Sequence, residues 1–354
     1  MIQRNEYLKQ LITWREKQMI KVVTGVRRCG KSTLFHLYID YLKSTGVTEE
    51  QIIAVNLEEI ENENLLQYHS LYSYVKERIC TEKTTYVFID EVQNCQHFEK
   101  AVDSLYVKPN VDVYITGSNA YMLSGELATL LSGRYITVDM LPLSFQEYLE
   151  AKDLTKRSRK DWFNDYMKFG AFPYVSMLDM AEAVIRLYLD GIYNTILVKD
   201  VARRQGITDI PLLENIVKCA ASSVGSPIST KKISDTINST GRSISVNTVD
   251  NYLRALTDSY ILYKVERYDI KGRQHLKTLG KYYIVDTGLR YLLTSGSAAD
   301  TGHIIENIVY LELIRRGNKV NIGKLAEKEV DFVTQNTNGV TYYQVSVTVL
   351  DENT

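Results

Sequence analysis

The stretch Thr24-Gly-Val-Arg-Arg-Cys-Gly-Lys-Ser-Thr33 has the spacing G-x-x-x-x-G-K-[ST] from Gly25 to Ser32. It follows an apolar run at residues 19–24 and precedes a segment with helical periodicity. Glycines let backbone N–H groups close on an anion, and a helix N-terminus favours negative charge. In this context the pattern predicts a loop that cradles phosphate groups. An ordinary glycine-rich turn is the alternative.

The side chains of this loop are predicted to have separate roles. Lys31 is expected to neutralise the β- and γ-phosphates of a nucleotide. Ser32 is expected to give a hydroxyl oxygen to Mg²⁺, which prefers octahedral oxygen coordination. The other predicted nucleotide-binding residues are Gly25, Arg27, Arg28, Cys29, Gly30 and Thr33.

A second apolar run, Tyr86-Val-Phe-Ile-Asp90-Glu91, ends in two acids. Asp90 is predicted to hold Mg²⁺, directly or through water, and Glu91 to orient or deprotonate the attacking water. Such a pair is typical of AAA-type ATPases rather than GTPases, and no Asn-Lys-x-Asp guanine motif follows it. ATP and Mg²⁺ are therefore the expected cofactors. The alternative is a strand that merely ends in surface acids.

Small polar residues end the next apolar run, which starts at residue 111. Because ligands bind at the carboxyl ends of strands in open α/β sheets, Thr116, Ser118 and Asn119 are placed so that one of them can sense the γ-phosphate. The same residues are also ordinary in a turn. Arg134 enters the last predicted strand. It is either an arginine that reaches phosphate, within one subunit or across an interface, or a solvated surface residue.

Residues 211–281 contain three helix-period stretches followed by a β-rich run, an order that suggests a winged helix. Ser245 is a good N-cap for a helix whose polar side carries Asn247, Thr248, Asn251 and Arg254, as a recognition helix would. The segment has 11 Lys or Arg against 6 Asp or Glu. Five of the cations, Lys264, Arg267, Lys271, Arg273 and Lys277, lie on or beyond the predicted wing. DNA is therefore one candidate partner, and a protein-interaction domain with a solvated hairpin is the alternative.

The overall composition excludes several classes. The 354 residues are 45% hydrophobic with a formal net charge of -1, so no whole-molecule attraction to nucleic acid or membrane is expected. No run approaches the roughly 18 apolar residues that would span a bilayer, and the N-terminus does not resemble a signal peptide. The 4 cysteines and 5 histidines show no metal-ligand spacing. A cytoplasmic protein without a membrane partner is expected, and a homo-oligomer is one candidate state.

The motifs together resemble a group of bacterial and archaeal AAA-family ATPases that carry a C-terminal domain of unknown function. The residues that carry the resemblance are 24–33, 88–93, 115–119, 133–135, Leu141-Pro-Leu-Ser-Phe145 and Phe169-Gly-Ala-Phe-Pro173. The resemblance covers nearly the whole chain. It implies ATP binding by an AAA-like domain, a winged-helix segment and a terminal domain similar to PD-(D/E)xK nucleases. Ala171 departs from the pattern, which has a second glycine there.

The terminal segment keeps only part of the chemistry that this resemblance implies. Glu306 and Asp331 are available as carboxylates. The matching strand, however, has Gln344 and Ser346 where a nuclease needs a second acid and a lysine. An inactive structural or nucleic-acid-docking remnant is therefore expected rather than an active nuclease. The sequence also ends without the closing helix of such a fold, so a truncated domain is expected.

The predicted fold is α/β. A P-loop NTPase core of AAA type, with a parallel sheet, is expected at residues 1–142. A helical connector or lid follows at 143–208, with Val184 and Leu187 on one of its apolar stripes, then a winged helix at 209–282 and the nuclease-like domain at 283–354. The predicted function is magnesium-dependent ATP hydrolysis coupled to rearrangement of the C-terminal domains. The rivals are an ATP-binding switch or partner-binding module with negligible turnover, and a P-loop kinase.

Overall fold

The computed structural model describes residues 2–118, 131, 133–178, 181–269, 274–294, 301–325, 328–336 and 339–347. The chain divides into two compact units, Met1–Met140 and Leu141–Thr354. Within the described residues, each unit contains a β-sheet of its own.

Strands and helices alternate in the N-terminal unit. The strands are β1 (Ile20–Thr24), β2 (Ile52–Asn56), β3 (Thr85–Asp90), β4 (Val111–Gly117) and β5 (Tyr135–Asp139). The α-helices are α1 (Asn5–Thr13), α2 (Lys31–Ser44), α3 (Tyr68–Lys76) and α4 (Phe98–Tyr106), with short 3-10 helices at Glu49–Gln51, Ile60–Leu65 and Val92–Asn94. The sequence predicts strands from its apolar runs at residues 19–24, 51–57, 85–90, 111–116 and 135–140. All five are confirmed, and each observed end lies within one residue of the predicted end.

The described strands of this unit form a sheet in the order β2-β3-β4-β1-β5. Every neighbouring pair is parallel, which confirms the predicted parallel α/β sheet. In the register of the sheet, Thr24 at the end of β1 lies beside Gly117 of β4 and Asp139 of β5. The segments that follow β1, β3 and β4 therefore leave the same edge of the sheet, with β4 between the other two strands.

The central strands are buried because helices cover both of their faces. Every residue of β1 and β3 is buried, as expected for near-continuous apolar runs in a parallel sheet. One face packs aromatic rings: the Phe88 ring lies 5.1 Å from that of Phe35 and 4.8 Å from that of Tyr114 between centroids. Full burial of such a side chain contributes about 1.5–3 kcal/mol. This packing fixes the strand ends from which the candidate site is built.

The C-terminal unit begins with helices and ends with mixed structure. Its α-helices are α5 (Phe145–Glu150), α6 (Arg159–Phe169), α7 (Pro173–Met177), α8 (Glu182–Thr195), α9 (Ile210–Ser222), α10 (Thr230–Ser239), α11 (Val246–Asp258), α12 (Thr287–Leu293) and α13 (Thr301–Arg315). A π-helix, Ile196–Ala202, and a helical turn, Arg203–Gln205, continue α8. The strands are β6 (Leu262–Asp269), β7 (Gln274–Ile284), β8 (Lys319–Leu325), β9 (Lys328–Asn336) and β10 (Gly339–Tyr343).

The second sheet crosses a predicted domain boundary. Its described strands run in the order β10-β9-β8-β6-β7. The β6–β7 hairpin follows three helices, α9 to α11, as a winged helix would. Strand β6, however, also pairs in parallel with β8 through Arg267 and Ile322. The hairpin therefore shares one sheet with the terminal strands, and the boundary predicted at residue 282 falls inside β7.

The motif Phe169-Gly-Ala-Phe-Pro173 meets the start of α12 at Asp286. This buried carboxylate caps α12 by accepting the N–H of Leu289 at 3.1 Å and also accepts the N–H of Ala171 at 2.6 Å. A Cβ on Gly170 would lie 2.1 Å from Asp286 Oδ1, so only glycine fits there. Burial raises the pKa of Asp286 to about 6, although the backbone donors oppose this rise.

Among the described residues, no helix has both the length and the apolar character needed to cross a lipid bilayer.

Candidate nucleotide site

The loop after β1 depends on two glycines. Gly25 has φ +144° and Gly30 has φ +106°, conformations that side chains rarely adopt. A Cβ on Gly25 would also lie 2.1 Å from the backbone oxygen of Met140. The chain turns at Gly30 directly into α2, whose first residue is Lys31. The loop therefore ends on the N-terminus of a 14-residue helix, which favours an anion.

Lys31 is buried inside this loop. Its Nζ donates to the backbone oxygens of Gly25 at 3.2 Å and of Val26 at 3.4 Å, and it lies 3.6 Å from Glu91 Oε1. The cation predicted for the phosphates and the predicted general base are therefore neighbours. This contact joins the segment after β1 to the segment after β3.

The other loop residues lie in different surroundings. Arg27 pairs with Glu58 at 2.7 Å, whereas Arg28 is exposed in the left-handed region at φ 68°. The Cys29 side chain is fully buried, and burial raises the pKa of its thiol. Ser32 is exposed and Thr33 is half-buried on the first turn of α2.

Thr116 connects the two acids. Its hydroxyl donates to Asp90 Oδ1 and accepts the backbone N–H of Glu91 at 2.9 Å. Thr116 has no exposed surface. It therefore holds the acidic pair in place, and the γ-phosphate contact expected of one of Thr116, Ser118 and Asn119 stays a prediction.

The carboxylate of Glu91 is held on both sides. Ser118 Oγ donates to Glu91 Oε2 at 3.1 Å, the Gln93 amide nitrogen donates to the same oxygen, and Lys31 faces Oε1. Burial alone would raise the pKa of Glu91. The charges of Lys31 and Arg27 and the hydrogen bonds from Gln93 and Ser118 outweigh it, so the pKa lies below its ordinary value. Glu91 is therefore an ionised acceptor at neutral pH, as a general base must be.

The donor set fits Mg²⁺ bound together with a nucleotide. The Ser32 hydroxyl and the Asp90 carboxylate are oxygen ligands of the kind that Mg²⁺ prefers. No cluster of three or more His, Cys, Asp or Glu able to hold a metal occurs within the part of the chain that the structure describes. Mg²⁺ usually needs substrate phosphates and waters beside one or two protein ligands, so this sparse set is what such a site requires.

Arg134 does not join this cluster. It precedes β5, and its backbone oxygen accepts the N–H of Ile20, the first residue of β1. Arg134 therefore lies at the amino edge of the sheet, and five residues of strand place the loop after β1 roughly 16 Å away. Its guanidinium contacts Asp103 at 3.3 Å instead. The prediction that Arg134 contacts a phosphate in its own subunit does not agree with this position. Contact with a phosphate across an interface stays a prediction. Asn119 lies outside the described residues.

Two neighbours of the site were not predicted. Buried Arg4 donates through Nη1 to the backbone oxygen of Cys29 at 3.1 Å and so ties the start of the chain to the phosphate loop. Gln93 contacts Glu91 directly. Gln93 could have been suspected from its place in the 88–93 motif. Nothing in the sequence distinguishes Arg4 from the exposed charges of an amphipathic helix.

Residues 17–149 match the family model described as an AAA domain, and residues 160–300 match one described as "Domain of unknown function (DUF8612)". An uncharacterized protein of Haemophilus influenzae is 40% identical over 357 residues, which cover 100% of this chain and 88% of that protein. An uncharacterized protein of Methanocaldococcus jannaschii is 30% identical over 335 residues, 89% of this chain and 71% of that protein. The chain belongs to this family of AAA-domain proteins.

A solved structure agrees with this family at the level of the fold. The Walker-type ATPase of Pyrococcus abyssi has a TM-score of 0.54 and 14% identity, and the match covers 83% of this chain and 96% of that one. At this identity the likeness shows the fold alone. With the AAA-domain match and the parallel sheet, it confirms a P-loop NTPase fold of AAA type. A nucleotide-binding domain of the ATPase class is therefore present.

The carboxylates predicted in the terminal segment of this AAA-domain protein are already engaged. Glu306 Oε1 accepts from Lys281 Nζ at 3.0 Å and from the Tyr283 hydroxyl at 2.6 Å, and Lys281 also contacts Glu329 at 2.7 Å. Asp331 accepts the N–H of Val345 at 2.7 Å. Gln344 and Ser346 are exposed. Glu306 thus belongs to a buried ion pair, and its carboxylate is not open toward solvent.

The helix predicted to recognise DNA is α11, and its cap is confirmed: Ser245 Oγ accepts the N–H of Thr248 at 3.1 Å. Asn247, Asn251 and Arg254 are exposed along it. The cations predicted on the wing differ in exposure and pairing. Lys264 is exposed but Arg267 pairs with Glu329, while Lys271, Arg273 and the side chain of Lys277 lie outside the described residues. The winged-helix assignment itself stays a prediction.

Proposed function

We propose that the protein hydrolyses ATP in a magnesium-dependent reaction and that turnover changes how its C-terminal part acts on a partner. The observation that carries the proposal is the position of Glu91. Its ionised carboxylate lies 3.6 Å from the phosphate-loop lysine and is fixed by Ser118 and Gln93. A protein that only binds nucleotide has no need to hold a base beside the phosphate cation.

The residues of the chain would act in a definite order. Backbone N–H groups at the start of α2 and the Lys31 ammonium bind the phosphates and neutralise their charge. Ser32 and Asp90 would hold Mg²⁺, which supplies further neutralisation of phosphate charge when bound. Glu91 orients a water on the γ-phosphate and accepts its proton. Thr116 keeps Glu91 and Asp90 in register during this step.

Two substitutions test the proposal by separating binding from chemistry. Lys31→Ala should abolish ATP binding, because the phosphates lose their cation while the backbone loop remains. Glu91→Gln keeps the shape of the side chain but removes the base, so ATP should bind with near-normal affinity while turnover falls by roughly 100-fold or more. Steady-state phosphate release and equilibrium ATP binding are the two measurements.

The matched control is Glu77→Gln, the same change on a carboxylate that is 74% exposed at the end of α3. It should leave both measurements unchanged. Unchanged turnover in Glu91→Gln would refute the role of Glu91. ATP binding without any phosphate release in the wild-type protein would favour the alternative of an ATP-binding switch. A phosphorylated small molecule among the products would instead indicate a kinase.

We also propose DNA as the partner of the C-terminal unit, because α11 presents an exposed polar stripe of Asn247, Asn251 and Arg254. Arg254→Ala should weaken duplex binding and lower the steepness of its salt dependence by about one unit if the guanidinium meets a phosphate. Arg316→Ala, at an arginine that is 69% exposed after α13, is the matched control. Equal affinity of the two variants at two salt concentrations would remove α11 from the interface.

A further inference from the structure

The amide of Gln93 makes an incomplete set of contacts inside the candidate site. Gln93 lies two residues after Glu91, in the short helix Val92–Asn94. Its Nε2 donates to Glu91 Oε2 and lies 3.5 Å from Ser118 Oγ. Its Oε1 is buried and has no hydrogen-bond partner among the described residues. One end of the amide is therefore fully engaged and the other is unused.

The orientation of the amide is determined by its neighbour. An ionised carboxylate can only accept hydrogen bonds, so the nitrogen of the amide must face Glu91. Flipping the amide would place two acceptor oxygens against each other. The unused Oε1 is therefore a consequence of holding Glu91. A buried acceptor without a donor is costly, and such groups in native proteins call for a ligand or water as an explanation.

We propose that Gln93 is a further catalytic residue of the ATP hydrolysis proposed above. Its Nε2 fixes the Glu91 carboxylate, and its Oε1 accepts a hydrogen bond from the attacking water. Both Oε1 and Nε2 are attached to the same carbon of the amide. Because Nε2 is hydrogen-bonded to Glu91, Oε1 also stays close to that carboxylate. Water has two hydrogens, so one can point to Glu91 and the other to Gln93. This directs the oxygen lone pair toward phosphorus.

The reaction balances without any further reactant. The water oxygen forms a bond to the γ-phosphorus while the bond from phosphorus to the bridging oxygen of ADP breaks. One proton of the water passes to the Glu91 carboxylate, and the other stays on the product phosphate. Gln93 only accepts a hydrogen bond and gains no proton. Its contribution is orientation, which is selective for the transition state.

The test uses full-length Gln93→Met, because methionine has similar length but neither donor nor acceptor. We expect kcat to fall by roughly 10- to 100-fold while the affinities for ATP and ADP stay within about twofold. The affinity for ADP with fluoroaluminate, which mimics the phosphoryl group under attack by water, should fall in parallel with kcat. Gln96→Met is the matched control, because Gln96 is exposed and its side chain contacts Gln67 at 3.1 Å.

The outcomes separate this proposal from the proposed function. Wild-type turnover in Gln93→Met, or an equal loss of affinity for ADP, ATP and the fluoroaluminate complex, would overturn the role of Gln93 while leaving the ATPase intact. A wild-type protein that neither releases phosphate nor binds the fluoroaluminate complex more tightly than ADP would refute both. If the wild-type protein prefers the complex but shows no measurable turnover, the proposed ATPase fails and the catalytic role of Gln93 fails with it.

Discussion

Replacing Thr116 by valine should show how much the bridge between the two acids contributes. Valine keeps the shape of the side chain but has no hydroxyl, so the backbone N–H of Glu91 loses its acceptor and Asp90 Oδ1 loses its donor. Each buried group left without a partner costs about 1–3 kcal/mol. The two together predict a loss of about 2–6 kcal/mol in the free energy of unfolding of the N-terminal unit.

Function should fall along with stability. Without the bridge, the Asp90 carboxylate and the backbone N–H of Glu91 lose their hydrogen bonds to β4. We therefore expect turnover to fall by roughly 10-fold or more at saturating ATP. Unfolding of this unit can be measured alone, because the chain has only 2 tryptophans and Trp14 is the one in the N-terminal unit. In a Trp162→Phe background, urea unfolding followed by tryptophan fluorescence therefore reports this unit.

Two further variants identify the group responsible. Thr116→Ser keeps the hydroxyl and should retain most of the stability and turnover. Thr137→Val makes the same change on edge strand β5 and should have little effect, because no hydrogen bond of its side chain is seen within the described residues. If Thr116→Val unfolds at the wild-type midpoint and turns over at the wild-type rate, the hydroxyl does not bridge the acids. If Thr116→Ser loses as much as Thr116→Val, the hydroxyl alone does not account for the loss.

Three other predictions concern separate features. Gly25→Ala should weaken ATP binding by roughly 100-fold, because its Cβ would meet the backbone oxygen of Met140. Gly46→Ala, also at positive φ but with open space around it, should bind ATP normally, and equal ATP affinities of the two variants would contradict this reasoning. Because the pKa of Asp286 is raised to about 6, lowering the pH from 7 to 5 should add about 1 kcal/mol to the free energy of unfolding of the C-terminal unit. Urea titrations at the two pH values should show no such increment for Asp286→Asn. Arg134→Ala should lower turnover more than ATP affinity, and mixing it with Lys31→Ala protein should partly restore turnover. Wild-type turnover of Arg134→Ala at every protein concentration would remove Arg134 from catalysis.

The first sheet could be predicted because its strands carry their own signal. β1 and β3 are buried on both faces, so each appears in the sequence as a short apolar run. The first run ends before Gly25, and the second ends in the acidic pair Asp90 and Glu91. The phosphate loop follows from glycine spacing alone. Once the strands are parallel, their carboxyl ends must share an edge, and this topology alone predicts that Lys31, Asp90 and Glu91 lie near one another.

Other features could not be predicted because they depend on which surfaces meet. On α8 the buried stripe is Ile185, Leu189 and Ile192, whereas Val184 and Leu187, which the periodicity placed on an apolar stripe, are exposed. Helical spacing shows that stripes exist but does not choose between them. Strand β8 was missed as well, because Asn321 and Gly323 lower its strand propensity and the pairing with β6 is not encoded locally.

Charge counts were also a weak guide, since a count does not show which charges are paired. The basic surplus of residues 211–281 includes Lys281, which is buried between Glu306 and Glu329, and Arg267, which pairs with Glu329. Neither cation is free to meet a phosphate. The same contacts place a lysine ammonium on the carboxylate that the nuclease resemblance would assign to Mg²⁺. The Lys281 ammonium already neutralises Glu306, so a metal ion could bind there only by displacing a buried cation that also pairs with Glu329. The prediction that nuclease activity is absent, made from Gln344 and Ser346, therefore has a second, independent basis in this buried ion pair.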